Sequence, residues 1–506
     1  MTDDEPRRVA GLLAFHAADR TAQNPFGLAV IRCADLVIAA GGPGELYRDS
    51  VYPKHCFGAL GLALEAGVEA VNLTESQFGI GTPRDGFPWN LSGTYVQYLL
   101  CIHSVDTDGI ERNFLGGYYR TTQELASNIF RKGYQWPFHA SRMLDFGSSL
   151  VDLAIYRETR MGRKVLMDFN RNPEPVPGDA PFSLDRLNSD VRAYLENNGA
   201  LRSFPIERLG KMNPLSIELY RRYKKDITRD PLEFAVNNQH MNGGIAVDIW
   251  GRSSLDGCYA IGEASGTHGV TRPGGAALNA GQVMGQRCAE HIRANRRTAP
   301  GDSVSTEAVR ASIEAVTASL CDDGLDWREV ALEVQARMSD DAGFMCSAVG
   351  VREALANARK LNGDIRSRGL RPDRADLAER CVQWRHMALV SEAVLTALDA
   401  YLSRGGGSRG ARAILDPDGS DVPVTRAGAL EAFRFRAERK QDRAEKIAIR
   451  CQNGTFACSF QQIRRHDHSR AAYFERDWAE FLTGAIYRPG GVHAALHIQT
   501  QELHLP

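Results

Sequence analysis

The stretch QHMNGGIAVDIWGRSSLDGCYAIGEASGTHGVTRPGGAALNAGQVMG, residues 239–285, decides the fold and concentrates the chemistry of the chain. Within it, GCYAIGEA (257–264) predicts a short strand that ends near Glu263, because a brief apolar run is bounded by glycines. Arg272 follows, and PGGAA (273–277) supplies small residues where a helix begins. An acid at a strand end, an arginine and an uncrowded helix start together predict a ligand site.

The helix start near Ala276 has the properties of an anion-binding terminus. Its first N–H groups lack partners within the helix, and the helix dipole places about half a positive charge there. Arg272 can hold a carboxylate through two parallel hydrogen bonds or act as an acid. The alternative interpretation is an ordinary glycine-rich turn between a strand and a helix, with ordinary surface charges.

Composition narrows the function classes. The 506 residues carry a net charge of −1, which gives no electrostatic case for nucleic acid or an anionic membrane surface. No apolar run approaches the ~18 residues of a membrane span, and MTDDEPRRVAGLLAF at the N-terminus does not resemble a signal peptide. Ten cysteines without a CxxC pair indicate reduced thiols in a cytoplasmic protein rather than disulfides or zinc sites.

Outside the opening stretch, the pattern predicts strands and helices in alternation. Apolar runs at 7–15 and 27–40 predict a hairpin, FGALGLALEAG (57–67) a short helix, and 303–402 a helical region. SRGGGSRG (403–410) is a plausible linker by composition, and the residues after it are predicted to be irregular.

Residues 239–285 closely resemble the flavin-binding return segment of the fumarate reductase/succinate dehydrogenase flavoprotein family, which includes L-aspartate oxidase. The shared order is GGI, a strand pair, GE, HG, an arginine and a helix start of small residues. CADLVIAAGGPGELY (33–47) resembles the family's strand and glycine loop, and SRGARAILDPDG (408–419) resembles its Ser-Arg-Gly stretch. The resemblance covers most of 7–420.

This resemblance implies an α/β chain, α+β overall. It comprises the remnant of a Rossmann-like FAD-binding domain with an inserted capping domain, followed by a helical domain. The implied parts are the FAD-binding domain at 1–78 and 239–296, the capping domain at 79–238, the helical domain at 297–403 and a C-terminal extension at 404–506.

The resemblance also implies non-covalent FAD and no metal. Glu263 would accept hydrogen bonds from the ribityl chain, and Arg272 and His240 would be the catalytic residues. The implied FAD contacts are Gly41, Gly42, Gln239, His240, Glu263, Arg272, Pro273, Gly274, Gly275, Ala276, Ala277 and Leu278. A packed loop histidine is the alternative for His240, and His268 is expected to be structural.

The sequence also departs from the family pattern. The family's initial strand, GxGxxG and helix, which hold the FAD pyrophosphate, are not found, and residue 1 falls where the family is already inside its FAD domain. Gly79 stands for a pocket histidine, Ser148 for a proton-relay arginine, Gln239 for a second histidine and Gly58 for an FAD-binding aspartate. Fumarate or succinate chemistry is therefore not expected, because it needs those groups.

Two hypotheses follow. The first is an FAD-dependent oxidoreductase with a non-dicarboxylate substrate, in which Arg272 would anchor a carboxylate or similar anion. Its nucleotide-binding unit would come from an upstream segment or a separate protein. The second is a non-catalytic truncated homologue, or one subunit of a split flavoprotein. Both predict weak FAD binding by this chain and an exposed apolar face beside Val37 and Ile261.

Two further motifs allow two interpretations each. His466-Asp467-His468 has metal-ligand residue types, but a solvated surface is the preferred interpretation for this charged tail. YQWPF (134–138) has aromatic residues that either line a substrate cleft or pack in the core, and core packing is preferred.

Overall fold

The computed structural model describes residues 8–84, 93–272, 274–295, 306–419, 433–463 and 478–485. Pro273 and the His466-Asp467-His468 motif lie outside the described residues. The strands are β1 (Gly11–Phe15), β2 (Leu28–Arg32), β3 (Leu36–Ile38), β4 (Ala70–Val71), β5 (Ser76–Gly81), β6 (Cys101–Val105), β7 (Glu111–Arg112), β8 (Lys164–Asp168), β9 (Leu232–Met241), β10 (Gly244–Ile245), β11 (Cys258–Ala260), β12 (Leu320–Asp326), β13 (Met345–Ser347), β14 (Leu370–Arg371), β15 (Ala413–Leu415), β16 (Glu445–Gln452) and β17 (Thr455–Gln462). The helices are α1 (Leu60–Glu65), α2 (Thr122–Tyr134), α3 (Ser149–Arg160), α4 (Ser189–Asn197), α5 (Pro205–Met212), α6 (Pro214–Arg222), α7 (Ala276–Ala294), α8 (Thr306–Ala318), α9 (Trp327–Asp341), α10 (Ala348–Arg368), α11 (Ala378–Ser403) and α12 (Trp478–Thr483).

Two parts of the chain that are distant in sequence meet in a parallel strand pair. β3 pairs with β11 in parallel, with Leu36 opposite Cys258 and Ile38 opposite Ala260. This pairing brings the glycine loop after β3 next to the segment after β11, as the sequence predicts. β1 and β2 form the expected antiparallel hairpin beside them.

The middle of the chain forms a five-stranded sheet in the order β5-β9-β8-β6-β7. α2 and α3 pack beside it, and Thr121 caps α2 by accepting a hydrogen bond from the Glu124 backbone at 3.1 Å. The predicted boundaries at 78/79 and 238/239 fall inside β5 and β9. The five-stranded sheet therefore extends from Ser76 to Met241.

The region after α7 is largely helical, as predicted. α9, α10 and α11 pack together, and α11 is buried around much of its circumference because its residues from Ala388 to Leu398 are mostly apolar. Three short strands, β12, β13 and β14, interrupt the helices.

The prediction that the residues after 410 are irregular is wrong for β16 and β17. These strands pair antiparallel across Asn453-Gly454, and both turn residues have positive φ, 50° and 74°. The alternation in EKIAIRCQ and TFACSFQQ, joined by Asn-Gly, is the usual sequence signal of a tight hairpin. The hairpin extends a sheet in the order β10-β4-β16-β17.

The Ser-Arg-Gly stretch is tied to the centre of the molecule by buried ionic contacts. Arg409 donates through Nε to Glu75 Oε1 at 3.0 Å, and both side chains are 4% exposed. Arg412 donates to the Thr74 carbonyl at 2.7 Å. These contacts fix the turn between β4 and β5, which leads directly into the candidate site.

The expected apolar face is confirmed. α7 has 19 residues, of which only Cys288 and His291 are buried, and Leu278 is 78% exposed. Between α7 and the β3–β11 pair lies a groove of about 560 Å³, lined by Val37, Ile261, Gly285, Cys288, Ala289, Ile292 and Arg293. Parallel sheets normally have both faces covered, so this face has the character of a contact surface.

Two negative findings apply to the described ranges. No helix there is long and apolar enough to cross a membrane. No cluster of three or more His, Cys, Asp or Glu side chains suited to a metal ion occurs in them either. All ten cysteines are free thiols in the structure.

Candidate flavin and substrate site

The glycine loop after β3 packs directly onto Glu263. A Cβ atom on Gly42 would lie 2.6 Å from Glu263 Oε1 and 2.9 Å from the Tyr52 hydroxyl. Gly41 has a φ of 72°, and a Cβ atom on Gly58 would lie 2.9 Å from the Gly42 carbonyl. The loop therefore requires glycine at these positions for close backbone approach.

Glu263 lies at the centre of the site and is 18% exposed. Its carboxylate accepts hydrogen bonds from the Tyr52 hydroxyl and, at 3.0 Å, from the Met241 backbone N–H. Burial raises the pKa of Glu263 above its ordinary range, and burial also raises the pKa of Tyr52. The Tyr52 hydroxyl and the Met241 N–H thus occupy part of the hydrogen-bonding capacity of the Glu263 carboxylate, which the resemblance had implied would bind a ribityl chain.

His240 lies near the end of β9 and is buried. Its Nδ1 is 3.1 Å from Asn242 Oδ1, and Asn242 Nδ2 donates to the Val270 carbonyl at 2.8 Å. The second bond orients the amide, so Nδ1 of His240 carries the proton and Nε2 is an acceptor. Nε2 has no hydrogen-bond partner among the described residues and lies 3.6 Å from Glu263 Oε1.

His268 packs edge-on against His240, with ring centroids 4.8 Å apart and planes at 81°. Within the described part of the chain, neither ring nitrogen of His268 has a hydrogen-bond partner, although the residue is buried. Burial, reinforced by Arg272, lowers the pKa of His240 to about 3 and lowers that of His268. Three unpartnered imidazole nitrogens therefore converge here, and buried polar groups normally have partners.

Arg272 is joined to β5 through Gln77. Arg272 Nε donates to Gln77 Oε1 at 3.0 Å, and Gln77 Nε2 donates back to the Arg272 carbonyl at 3.2 Å. Burial lowers the pKa of Arg272, but a guanidinium remains charged at neutral pH. The amide of Gln77 thus fixes a positive charge beside the two histidines.

A β-bulge explains why Gln239 and His240 both serve the site. Gln77 lies opposite His240 and Phe78 opposite Asn238, so Gln239 is the extra residue of β9. Its Nε2 donates to the Gly79 carbonyl at 3.0 Å. Bulges re-aim side chains in this way next to functional sites.

The start of α7 leaves open space, as the sequence predicts. Gly275 precedes the helix with a φ of 76°, and a Cβ atom on Gly274 or Gly275 would meet nothing within 4 Å. Ala276 and Ala277 are half-buried. The predicted contacts in the described ranges thus divide between a compact group around Glu263 and this exposed helix start.

At Gly79 and Ser148, where the sequence departs from the family pattern, the structure shows contacts with Trp136 and Gln135 that the sequence did not predict. Trp136 packs against Gly79, within 3.2 Å of where a Cβ atom would lie. The Ser148 hydroxyl donates to Gln135 Oε1. Phe138 is fully buried, and the half-buried Trp136 packs against the same core, so core packing, the preferred interpretation of YQWPF, holds for both residues.

Comparison with known proteins shows which proteins the chain resembles in sequence and in fold. No protein-family model matches the chain. The L-aspartate oxidase of Bacillus subtilis is 39% identical over 266 residues, which cover 52% of this chain and 39% of that protein. The L-aspartate oxidase of Mycobacterium bovis is 24% identical over 383 residues, covering 74% of this chain and 58% of that protein. The E. coli quinol fumarate reductase structure aligns with a TM-score of 0.62 and 17% identity, over 92% of this chain and 70% of that chain.

The chain is similar in sequence to L-aspartate oxidases, and it shares the fold of the fumarate reductase structure. It spans 39% and 58% of the length of the two curated relatives named above. The likeness to the solved flavoprotein establishes the fold, and a fold of this kind supports more than one substrate. What this chain binds therefore has to be judged from its own side chains.

Proposed function

We propose that this chain is the flavin- and substrate-contacting part of an FAD-dependent oxidoreductase whose substrate carries a carboxylate and is neither fumarate nor succinate. The observation that supports the proposal is the set of three buried imidazole nitrogens, on His240 and His268, that have no hydrogen-bond partner among the described residues. Leaving buried donors and acceptors without partners costs free energy, and this indicates that a bound ligand supplies the missing hydrogen bonds.

The residues present fit the flavin end of FAD. The loop at Gly41-Gly42 offers backbone at close range, Glu263 offers carboxylate oxygens, and the start of α7 offers N–H groups beside open space. When bound, FAD would accept a hydride from a substrate carbon. The contacts proposed for it are those predicted from the sequence, with Tyr52 added as the group that positions Glu263.

Arg272 would hold the substrate carboxylate, with its orientation set by Gln77. His240 is better suited to accept a hydrogen bond through Nε2 than to carry a proton, because a pKa of about 3 is far below neutral. Of the two routes for the substrate proton, release to solvent is therefore favoured over transfer to His240.

The exclusion of fumarate and succinate rests on two positions. Gly79 has no side chain, and Trp136 fills the space in front of it. Ser148 is buried and its hydroxyl is engaged by Gln135. Neither position offers a proton donor, and the loss of a positioned acid costs about 10²–10⁴ in rate.

The 506-residue chain is expected to bind FAD weakly or not at all. The described residues include no strand–GxGxxG–helix unit, whose charge-assisted hydrogen bonds to a pyrophosphate contribute ~1.5–3 kcal/mol each. Gel filtration of the purified chain with excess FAD, followed by a visible spectrum, measures retention. Stoichiometric yellow protein after filtration would contradict this expectation.

We further propose that the face between α7 and the β3–β11 pair receives such a nucleotide-binding unit, from an upstream coding segment or a separate subunit. The same exposed face favours the second candidate function, a non-catalytic chain that acts by association. Sequencing the DNA upstream of Met1 distinguishes them. A continuous or adjacent reading frame encoding strand–GxGxxG–helix supports the enzyme, and its absence supports the non-catalytic alternative.

A further inference from the structure

Trp136 packs against Gly79 of β5, next to the candidate site. A Cβ atom on Gly79 would lie 3.2 and 3.3 Å from two atoms of the indole, so a side chain there would push the ring away. The Gly79 carbonyl is the acceptor of Gln239 Nε2 at 3.0 Å. The indole therefore adjoins the bulge that supports the site.

The segment that carries Trp136 is held from both sides. Phe138 N–H donates to the Phe78 carbonyl at 2.8 Å, which attaches the segment to β5. Arg142 Nη1 donates to the carbonyls immediately before and after Trp136, at 2.6 and 3.3 Å. A side chain fixed in this way acts as a preformed surface rather than a mobile one.

Arg272 and Trp136 lie along the same face of β5. Arg272 is bonded to Gln77, and Trp136 covers Gly79, two residues further along the strand. Residues i and i+2 of a strand share a face and are about 7 Å apart. The two strand positions that the guanidinium and the indole contact are thus about 7 Å apart, a distance that a small planar acid can span.

The charges on this face favour one anionic group. The ammonium of Lys132, 5.7 Å from the Trp136 ring centroid, is paired with Asp152 at 2.6 Å. His240 and His268 have lowered pKa values and are neutral at physiological pH. The Arg142 guanidinium, which flanks Trp136, already donates to two backbone carbonyls, so a second carboxylate lying against the indole would lose hydration in exchange for a cation that is already engaged.

We propose, on the basis of the function proposed above, that Trp136 is a specificity-determining residue. With Arg272 it selects a monocarboxylate with a planar, conjugated or aromatic body over a dicarboxylate. The carboxylate lies on Arg272, and the flat body packs against the indole of Trp136, where aromatic contact adds to the burial of apolar surface.

A matched pair of ligands tests this inference, because trans-cinnamate and fumarate differ only in a phenyl group replacing one carboxyl group. Binding to the full chain is measured by isothermal calorimetry, with and without added FAD. Cinnamate is expected to bind at least about 10-fold more tightly than fumarate. Trp136→Leu is expected to remove most of that preference, and Arg272→Ala to weaken cinnamate binding about 100-fold.

Two further variants keep the test decisive. Gly79→Ala, whose added methyl group requires the indole to shift by a few tenths of an ångström, is expected to reduce the preference even if Trp136→Leu does not fold. Trp478→Leu alters an exposed tryptophan on α12 and is expected to change nothing. Equal or tighter binding of fumarate, an undiminished preference in Trp136→Leu, or no binding of either acid would overturn the inference. Because the readout is binding, these outcomes are separate from any failure of the protein to carry flavin.

Discussion

Substitution of Arg272 by alanine is expected to lower kcat/KM for flavin reduction by about 10²–10³-fold in the flavin-loaded protein. The substitution removes the charged group that Gln77 orients beside His240 and His268. Loss of two charge-assisted hydrogen bonds to a carboxylate has this magnitude. Stopped-flow measurement of the flavin absorbance, at limiting concentrations of the physiological substrate or a reactive monocarboxylate, gives the rate.

Two controls define what this result means. Arg272→Lys keeps the positive charge but loses the planar guanidinium that donates two parallel hydrogen bonds. It is therefore expected to retain a rate between those of the parent and Arg272→Ala. Arg310→Ala changes an exposed arginine on α8 and is expected to leave the rate unchanged. An undiminished rate in Arg272→Ala would show that the substrate is anchored elsewhere.

Substitution of Lys132 by methionine is expected to lower the free energy of unfolding by about 3–5 kcal/mol. Lys132 on α2 and Asp152 on α3 form an ion pair at 2.6 Å in which both side chains are fully buried. Burial raises the pKa of Asp152, while Lys132 is the main influence that lowers it. Without the lysine, the carboxyl group can stay buried only in its neutral form.

The loss in Lys132→Met is therefore expected to depend on pH. A carboxyl group whose pKa is higher in the folded than in the unfolded state favours folding at low pH, and this contribution is lost as pH rises. Denaturant titrations should show a larger deficit at pH 8 than at pH 5. The double variant Lys132→Met/Asp152→Leu should recover most of the loss at both values. A deficit independent of pH would contradict the buried-charge explanation.

The fold elements nearest the site could be predicted because their signals are local. The apolar run before Gly41 and the small residues from Ala276 give a strand and a helix start on pattern alone. The hairpin β16–β17 had an equally local signal in Asn453-Gly454 and was missed because charged residues surround it.

The rest of the site depends on contacts between distant residues, which one sequence does not reveal. Trp136 lies 57 positions after Gly79, and no periodicity connects them. The bulge at Gln239 is set by the pairing of β9 with β5, so it cannot be recognised from β9 alone. Tyr52 lies in an irregular loop whose path is fixed by packing around the glycines.

The visible absorption spectrum of the protein, purified after expression with its upstream coding sequence and any adjacent flavoprotein gene, tests the central claim most directly. If Glu263, Arg272 and the glycine loop form the flavin-facing side of an oxidoreductase, the purified protein will show the bands of bound flavin. Those bands will bleach when the substrate is added anaerobically. A protein that contains the strand–GxGxxG–helix unit, is folded and is supplied with FAD, yet shows no bound flavin, would contradict the account.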